Sequence, residues 1–215
     1  MIRWNGMDIF ETLDELVDPK HTVLLMWDFA QNVAGNAFNV KSMTASTARL
    51  LQAARDRKVR TIYSYQNNMH LVGDTGAPTV RMRMIRAKKP IGEILKVPPP
   101  VGPSPVPKLI ADLAPREGDI VFEKFCPNAF LGTCFEWWLK KFAIKTIVLT
   151  GVNAATGISG TAREAINLGY YAVVARDCVG TQSKDDYDIA IASMERLFDV
   201  VDADQIIDVW RRAKV

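Results

Sequence analysis

The sequence predicts a doubly wound α/β domain, and three observations carry that expectation. Short apolar runs rich in β-branched residues alternate with segments of helical period, the pattern of parallel strands joined by crossover helices. Polar or special positions fall at the carboxyl ends of those runs: Asp28, Gln66, Lys124 and the turn 153–157. With 215 residues, the chain is long enough for one large domain with a full core. A single domain over 1–215 is the expectation, interrupted by an excursion at about 67–107.

Taken in order, residues 11–17 read as a short amphipathic helix. Residues 21–28, HTVLLMWD, form a continuous apolar run ending in a carboxylate, which places Asp28 at the end of a buried strand. Residues 43–56 have helical period, and 59–66 (VRTIYSYQ) read as a second strand ending at Gln66. A third strand is expected at 119–122, with Lys124 just beyond it, and a helix at 134–142. The run Thr146–Val152 is the clearest buried strand. Asn153 to Gly157 follow as a tight turn, and Ile158, Ala162, Ala165 and Ile166 recur at helical spacing, so a helix starts near Thr156 or Gly157. Such a strand, turn and helix N-terminus would direct free N–H groups and a positive dipole end into one cleft. A side chain on residue 157 is expected at the mouth of that cleft. Residues 171–176 read as a fifth strand ending at Asp177, followed by a helix at 186–197, a short strand near 198–201 and a last helix to Trp210. In sheets of this kind ligands bind outside the carboxyl ends of the strands, at the switch point of strand order.

The excursion breaks this rhythm with RMRMIRAKKP and then VPPPVGPSPVP. Prolines forbid helix in its second part, and an ordered excursion of this length reads as a lid or an oligomer arm rather than a passive loop. Its basic residues, Arg81, Arg83, Arg86, Lys88, Lys89 and Lys96, interleave with Met82, Met84 and Ile85. Closing over an anionic substrate, packing on another subunit and forming a solvated face all fit. A homo-oligomer, dimer or tetramer, is expected.

Composition narrows the function classes. Hydrophobic content of 48% and charged content of 24% are ordinary for a globular protein. A net charge of +3 is too weak to argue for nucleic acid. No apolar stretch approaches a membrane span, and the acidic start does not resemble a signal sequence, so the expectation is a cytoplasmic protein. Cys126, Cys134 and Cys178 lack paired spacing, and His21 and His70 are the only histidines. Neither a metal nor another cofactor is expected, and the implied partner is a small molecule.

Three motifs resemble the isochorismatase-like hydrolase superfamily, the cysteine hydrolases that include nicotinamidases, carbamoylsarcosine amidohydrolase and isochorismatases. LLMWDFAQN resembles its first-strand motif, with Gln31 one place later than usual. FEKFCPNAFLGT resembles its lysine motif at Lys124, Ala129, Phe130, Gly132 and Thr133. TGVNAATGISGTAREA resembles its third motif at Gly151, Val152, Thr161, Ala162, Arg163 and Ala165. The resemblance implies a three-layer α/β/α, Rossmann-like domain with six parallel strands. It also implies that Asp28 and Lys124 are catalytic and that Gln66, Asn153, Ala154 and Gly157 contact substrate. In the amidase members a cysteine stands at the position of Gly157, where it attacks a carbonyl. Glycine closes that route. True isochorismatases also carry glycine there and hydrolyse a vinyl ether: an aspartate protonates the enol carbon and water attacks the oxocarbenium carbon. Asn153 and Ala155 depart from the aromatic and histidine pair of that subgroup, and GTAREA looks more like the amidase branch. In relatives a non-proline cis peptide precedes the residue equivalent to Ala154.

Each residue also has a structural reading. On that reading Asp28 only caps a turn, Lys124 is a solvated loop residue, and Gln66 satisfies a loop backbone. Cys126, two residues past Lys124, is the best substitute nucleophile, whereas Cys134 and Cys178 fit apolar filling. Three functions stand at this point. One is a cysteine-independent hydrolase of a small, anionic metabolite, using Asp28 with water. Another is an inactive relative that binds a metabolite or serves as an interaction scaffold. The third, a dinucleotide-binding domain suggested by Gly151 and Asp177, lacks the required glycine spacing.

Overall fold

The computed structural model describes residues 1–66, 77–94 and 106–213. The chain divides into two compact units, one of Met1–Gln66 with Lys108–Val215 and one of Asn67–Pro107.

The first unit opens with a hairpin of β1 (Ile2–Trp4) and β2 (Met7–Ile9), paired antiparallel. Asn5 and Gly6 between them have φ of +46° and +80°, the backbone that a two-residue hairpin turn requires. Next come α1 (Leu13–Leu16), β3 (Thr22–Trp27), α2 (Gln31–Ala34), α3 (Val40–Asp56) and β4 (Arg60–Gln66). The described part of the second unit holds α4 (Ala77–Ala87) and α5 (Ile91–Ile94), so the arginine and methionine stretch is helical. Lys96 and most of the proline run lie outside the described residues. The first unit resumes with a 3₁₀ turn (Ala111–Leu113), β5 (Ile120–Lys124), α6 (Phe135–Lys141) and β6 (Thr146–Val152). A π-helical turn (Ala154–Ile158) leads into α7 (Ser159–Asn167), followed by β7 (Tyr171–Gly180), α8 (Lys184–Met194), β8 (Asp199–Val201) and α9 (Ala203–Arg212).

Six strands form one parallel sheet in the order β5-β4-β3-β6-β7-β8. Helices cover both faces, giving the expected three-layer α/β/α arrangement. Every residue of β3 and β6 is buried, which explains their uninterrupted apolar runs. Leu24 and Met26 join the core under α3 and α9. Val23, Leu25 and Trp27 alternate to the other face, under α6, α7 and α8. The chain leaves β3 toward β4 and β5, then returns to β3 through β6. The switch point therefore lies between β3 and β6, and their carboxyl ends carry Asp28 and Asn153.

Several expectations need correction. β7 runs on past Arg176 to Gly180, because a register shift between Leu149 and Gly151 absorbs the polar residues within one long strand. Asp177 lies in that irregular stretch, where its Oδ1 accepts a hydrogen bond from the N–H of Ala203 at 2.7 Å. It caps α9 rather than facing a nucleotide. Ile166, one of the apolar positions that mark the period of α7, is 49% exposed. The hairpin at the start carries no helical or buried-strand pattern and is new.

Candidate active site

Asp28 follows β3 directly, with φ of +50°. Its N–H donates to the Ser64 carbonyl at 3.0 Å, so the backbone stays tied to β4 while the chain turns off the sheet. Aspartate is among the few residues with a Cβ that tolerate this left-handed geometry. Lys124 is the last residue of β5, two strands away from β3. Neighbouring strands lie about 5 Å apart, so its side chain must cross β4 to reach the switch point. It does: Nζ donates to Asp28 Oδ2 at 2.7 Å and to Gln66 Oε1 at 3.0 Å. Gln66 is the register partner of Lys124, which accounts for the second bond. Three positions predicted from the sequence therefore meet at one point.

Burial sets the chemistry of this group. Lys124 has no exposed side-chain surface, whereas Asp28 retains 10%, so the carboxyl is the reachable member. Its Oδ1 is buried and has no hydrogen-bond donor among the described residues. Burial pushes the Asp28 carboxyl up from its ordinary value, against the pull of the Lys124 charge. Burial likewise draws the Lys124 ammonium down, with Asp28 opposing. A carboxyl raised in this way can hold a proton and deliver it. The hydroxyl of Ser64, on the neighbouring strand and register partner to Trp27, is also buried, with no partner among the described residues.

The turn after β6 differs from its expected form. The cis peptide is Val152–Asn153, one residue earlier than the relatives suggest. The Asn153 side chain is engaged at both ends: Oδ1 accepts from the Ala155 N–H at 2.8 Å within the turn, and Nδ2 donates to Gln182, beyond β7, at 2.8 Å. Its carbonyl accepts from the N–H groups of Thr156 and Ile158. Three amides expected to face a cleft are thus satisfied inside the turn. Ala154 and Gly157 are both buried. A Cβ on Gly157 would not stand at a cleft mouth, because it would lie 2.5–2.6 Å from Cζ2, Cε2 and Nε1 of the Trp27 indole. Gly151, with φ of +116°, faces a comparable limit, since a Cβ there would run into the Trp27 carbonyl.

The loop that follows Lys124 is pinned to α7. Thr161 Oγ1 accepts from the buried Ala129 N–H at 3.2 Å. Asn128 Oδ1 accepts from the Phe130 and Leu131 N–H groups, and the Thr133 hydroxyl donates to the Ala129 carbonyl. Gly132 supplies a φ of +70°. Several matched positions of the lysine and third motifs thus hold the loop together. Cys126 is partly buried beside the same loop, with only long contacts from its sulfur to the Asn128 and Leu131 carbonyls. Among the described residues, no group of three His, Cys, Asp or Glu side chains is placed to hold a metal ion.

The profile of the isochorismatase domain matches residues 22–205. The chain belongs to the isochorismatase domain family. It is similar to the secreted isochorismatase effector Isc1 of Verticillium dahliae, at 33% identity over 95 residues, 44% of this chain and 50% of that protein. It is similar to N-carbamoylsarcosine amidase of Arthrobacter sp at 35% identity over 68 residues, 32% of this chain and 26% of that one. This chain spans about half the length, or less, of these curated relatives. A cysteine hydrolase from Pseudomonas syringae pv. phaseolicola shares the fold at a TM-score of 0.76 and 21% identity, covering 93% of this chain and 96% of that one.

Within this isochorismatase domain, Trp27 is the residue that sequence reasoning missed. It is fully buried, and the Lys124 ammonium lies 4.1 Å from the centre of its ring. The available signal was an aromatic residue inside an aliphatic strand, immediately before the carboxylate. No helix among the described residues is long and apolar enough to cross a membrane.

Proposed function

We propose that this chain is a hydrolase of a small, anionic metabolite that works without a cysteine nucleophile, with Asp28 as general acid and base. The observation that carries the reading is the 2.7 Å pair of Asp28 and Lys124, in which one buried carboxylate oxygen has no donor among the described residues. Hydrolysis of a vinyl ether fits this arrangement best. Asp28 gives its proton to the terminal enol carbon, using the electron pair of the double bond. Water adds to the oxocarbenium carbon and returns a proton to Asp28, and the hemiketal collapses to an alcohol and a keto acid. Lys124 stabilises the carboxylate between these steps, and Gln66 Oε1 accepts a second hydrogen bond from the ammonium. Substrate contacts from Asn153, Ala154 and Gly157 would come through backbone and shape, since the Asn153 side chain is engaged by the Ala155 N–H and by Gln182.

The reading extends to a cytoplasmic homo-oligomer, dimer or tetramer, with the 67–107 segment as an excursion from a single domain. A second reading, a relative that binds a metabolite without turning it over, is favoured by one observation: the amides of Ala155, Thr156 and Ile158 are taken up inside their own turn. A panel of isochorismate-type vinyl ethers and small amides, with product detection and thermal stabilisation measured in parallel, separates the two. Product release from a vinyl ether is expected. Stabilisation by a panel member without any product would overturn the hydrolase reading.

A further inference from the structure

Residue 157 is glycine for a reason that lies on another element. The Trp27 indole occupies the space a side chain there would need, at 2.5–2.6 Å from an added Cβ. Separations below 3 Å cannot be absorbed without moving one partner, and here the partner is a ring packed in the core under α6, α7 and α8. The same ring presents its face to Lys124 at 4.1 Å. A buried ammonium over an indole is held by the ring quadrupole, and that attraction is strongest where water is excluded. One side chain therefore does two things at the site: it fills the volume of the missing nucleophile, and it forms one wall of the ammonium's binding place.

We infer that Trp27 is the specificity-determining and positioning residue of this site, which commits it to nucleophile-free chemistry by excluding any side chain at residue 157 while holding Lys124 against Asp28. The catalytic half of this inference rests on the hydrolase reading above, whereas the steric half stands without it. The loss of a nucleophile is thus built into the core. Restoring a cysteine by Gly157→Cys alone should fail to give a usable thiol, because the indole must first be removed.

The test uses the full chain with Cys126→Ser and Cys134→Ser as background, and compares Gly157→Cys, Trp27→Val and their combination. Gly157→Cys alone should lower Tm, and adding it to Trp27→Val should lower Tm much less, a coupling that independent sites do not show. Alkylation of the introduced thiol by iodoacetamide, followed by peptide mass spectrometry, should be at least tenfold faster in the combined variant than in Gly157→Cys. Equal Tm losses in the two backgrounds, or equal alkylation rates, would overturn the steric claim. Positioning is read separately from the titration of the Asp28 carboxyl, followed by NMR in aspartate-labelled protein. Trp27→Phe, which keeps an aromatic face, should retain the wild-type midpoint, and Trp27→Leu should shift it. An unchanged midpoint in Trp27→Leu would reduce Trp27 to packing. None of these readouts uses a substrate, so their failure leaves the hydrolase reading intact, and an inactive wild type would leave the steric coupling intact.

Discussion

The two strand ends that flank the switch point, Asp28 after β3 and the turn after β6, have opposite characters. At the first, a carboxylate and an ammonium are withdrawn from water and one carboxylate oxygen has no donor among the described residues. At the second, Asn153 satisfies the Ala155, Thr156 and Ile158 amides, and an indole covers the glycine. Both begin from the same topology, so position in the fold does not by itself make a reactive site. What distinguishes them is unmet electrostatic demand. In this chain that demand sits on the aspartate side.

The sharpest way to break the comparison is Asp28→Asn. If the aspartate end carries the chemistry, turnover should fall by about 10²–10⁴-fold, the usual range for a lost general acid or base. A native circular dichroism spectrum would show that the fold persists, and a folded variant with full activity would reject the assignment. The pH profile sharpens the same point. A proton donor acts in its protonated form, so kcat/KM should fall as pH rises through the Asp28 midpoint. Burial moves that midpoint up, which carries the limb above the pH at which an ordinary aspartate ionises. An alkaline limb that is unchanged in Asp28→Glu would contradict this.

Lys124→Met tests the energetics of the pair. Breaking a buried pair by removing one partner costs about 3–5 kcal/mol. For a chain of this size that lowers Tm by on the order of 10 °C, measured by calorimetry. A loss of only a degree or two would mean that water reaches the carboxylate after all. Thr161→Val should act more weakly and on the turn side. It leaves the buried Ala129 N–H without its acceptor, at a cost of about 1–3 kcal/mol, and it should loosen the loop that follows Lys124, visible as faster amide exchange at 125–133. The smallest effect is expected from thiol chemistry: alkylating Cys126 and Cys134 should leave turnover largely unchanged. Loss of activity in step with Cys126 modification would move the nucleophile to that sulfur.

Much of this contrast was legible in the sequence, for physical reasons. Buried parallel strands need uninterrupted apolar runs, so β3 and β6 announced themselves and put Asp28 and Asn153 at their ends. The strand-end pattern put Lys124, Asp28 and Gln66 on one edge of the sheet, but their direct contact left no local signal, because a bond spanning 96 residues leaves no periodic trace. The extension of β7 was hidden because a bulge lets polar Arg176 and Asp177 sit within a strand. The first hairpin has its signal in Asn5–Gly6, between alternating residues. Its apolar side chains are exposed, with Trp4 at 57%, so burial gave no cue. The clash between Trp27 and residue 157 joins a strand to a helix far along the chain. Composition cannot express it.

The complete enclosure of the Lys124 side chain has a consequence for how this protein meets its surroundings. Mobile ions weaken charge pairs by gathering around exposed charges, and an ammonium with no surface offers them no approach. Ionic strength that dissolves the peripheral bridges, such as Arg3–Asp8 or Arg49–Asp204, should leave this bond standing. The protein thus carries one electrostatic contact that is set by its own packing and is largely indifferent to the salt around it.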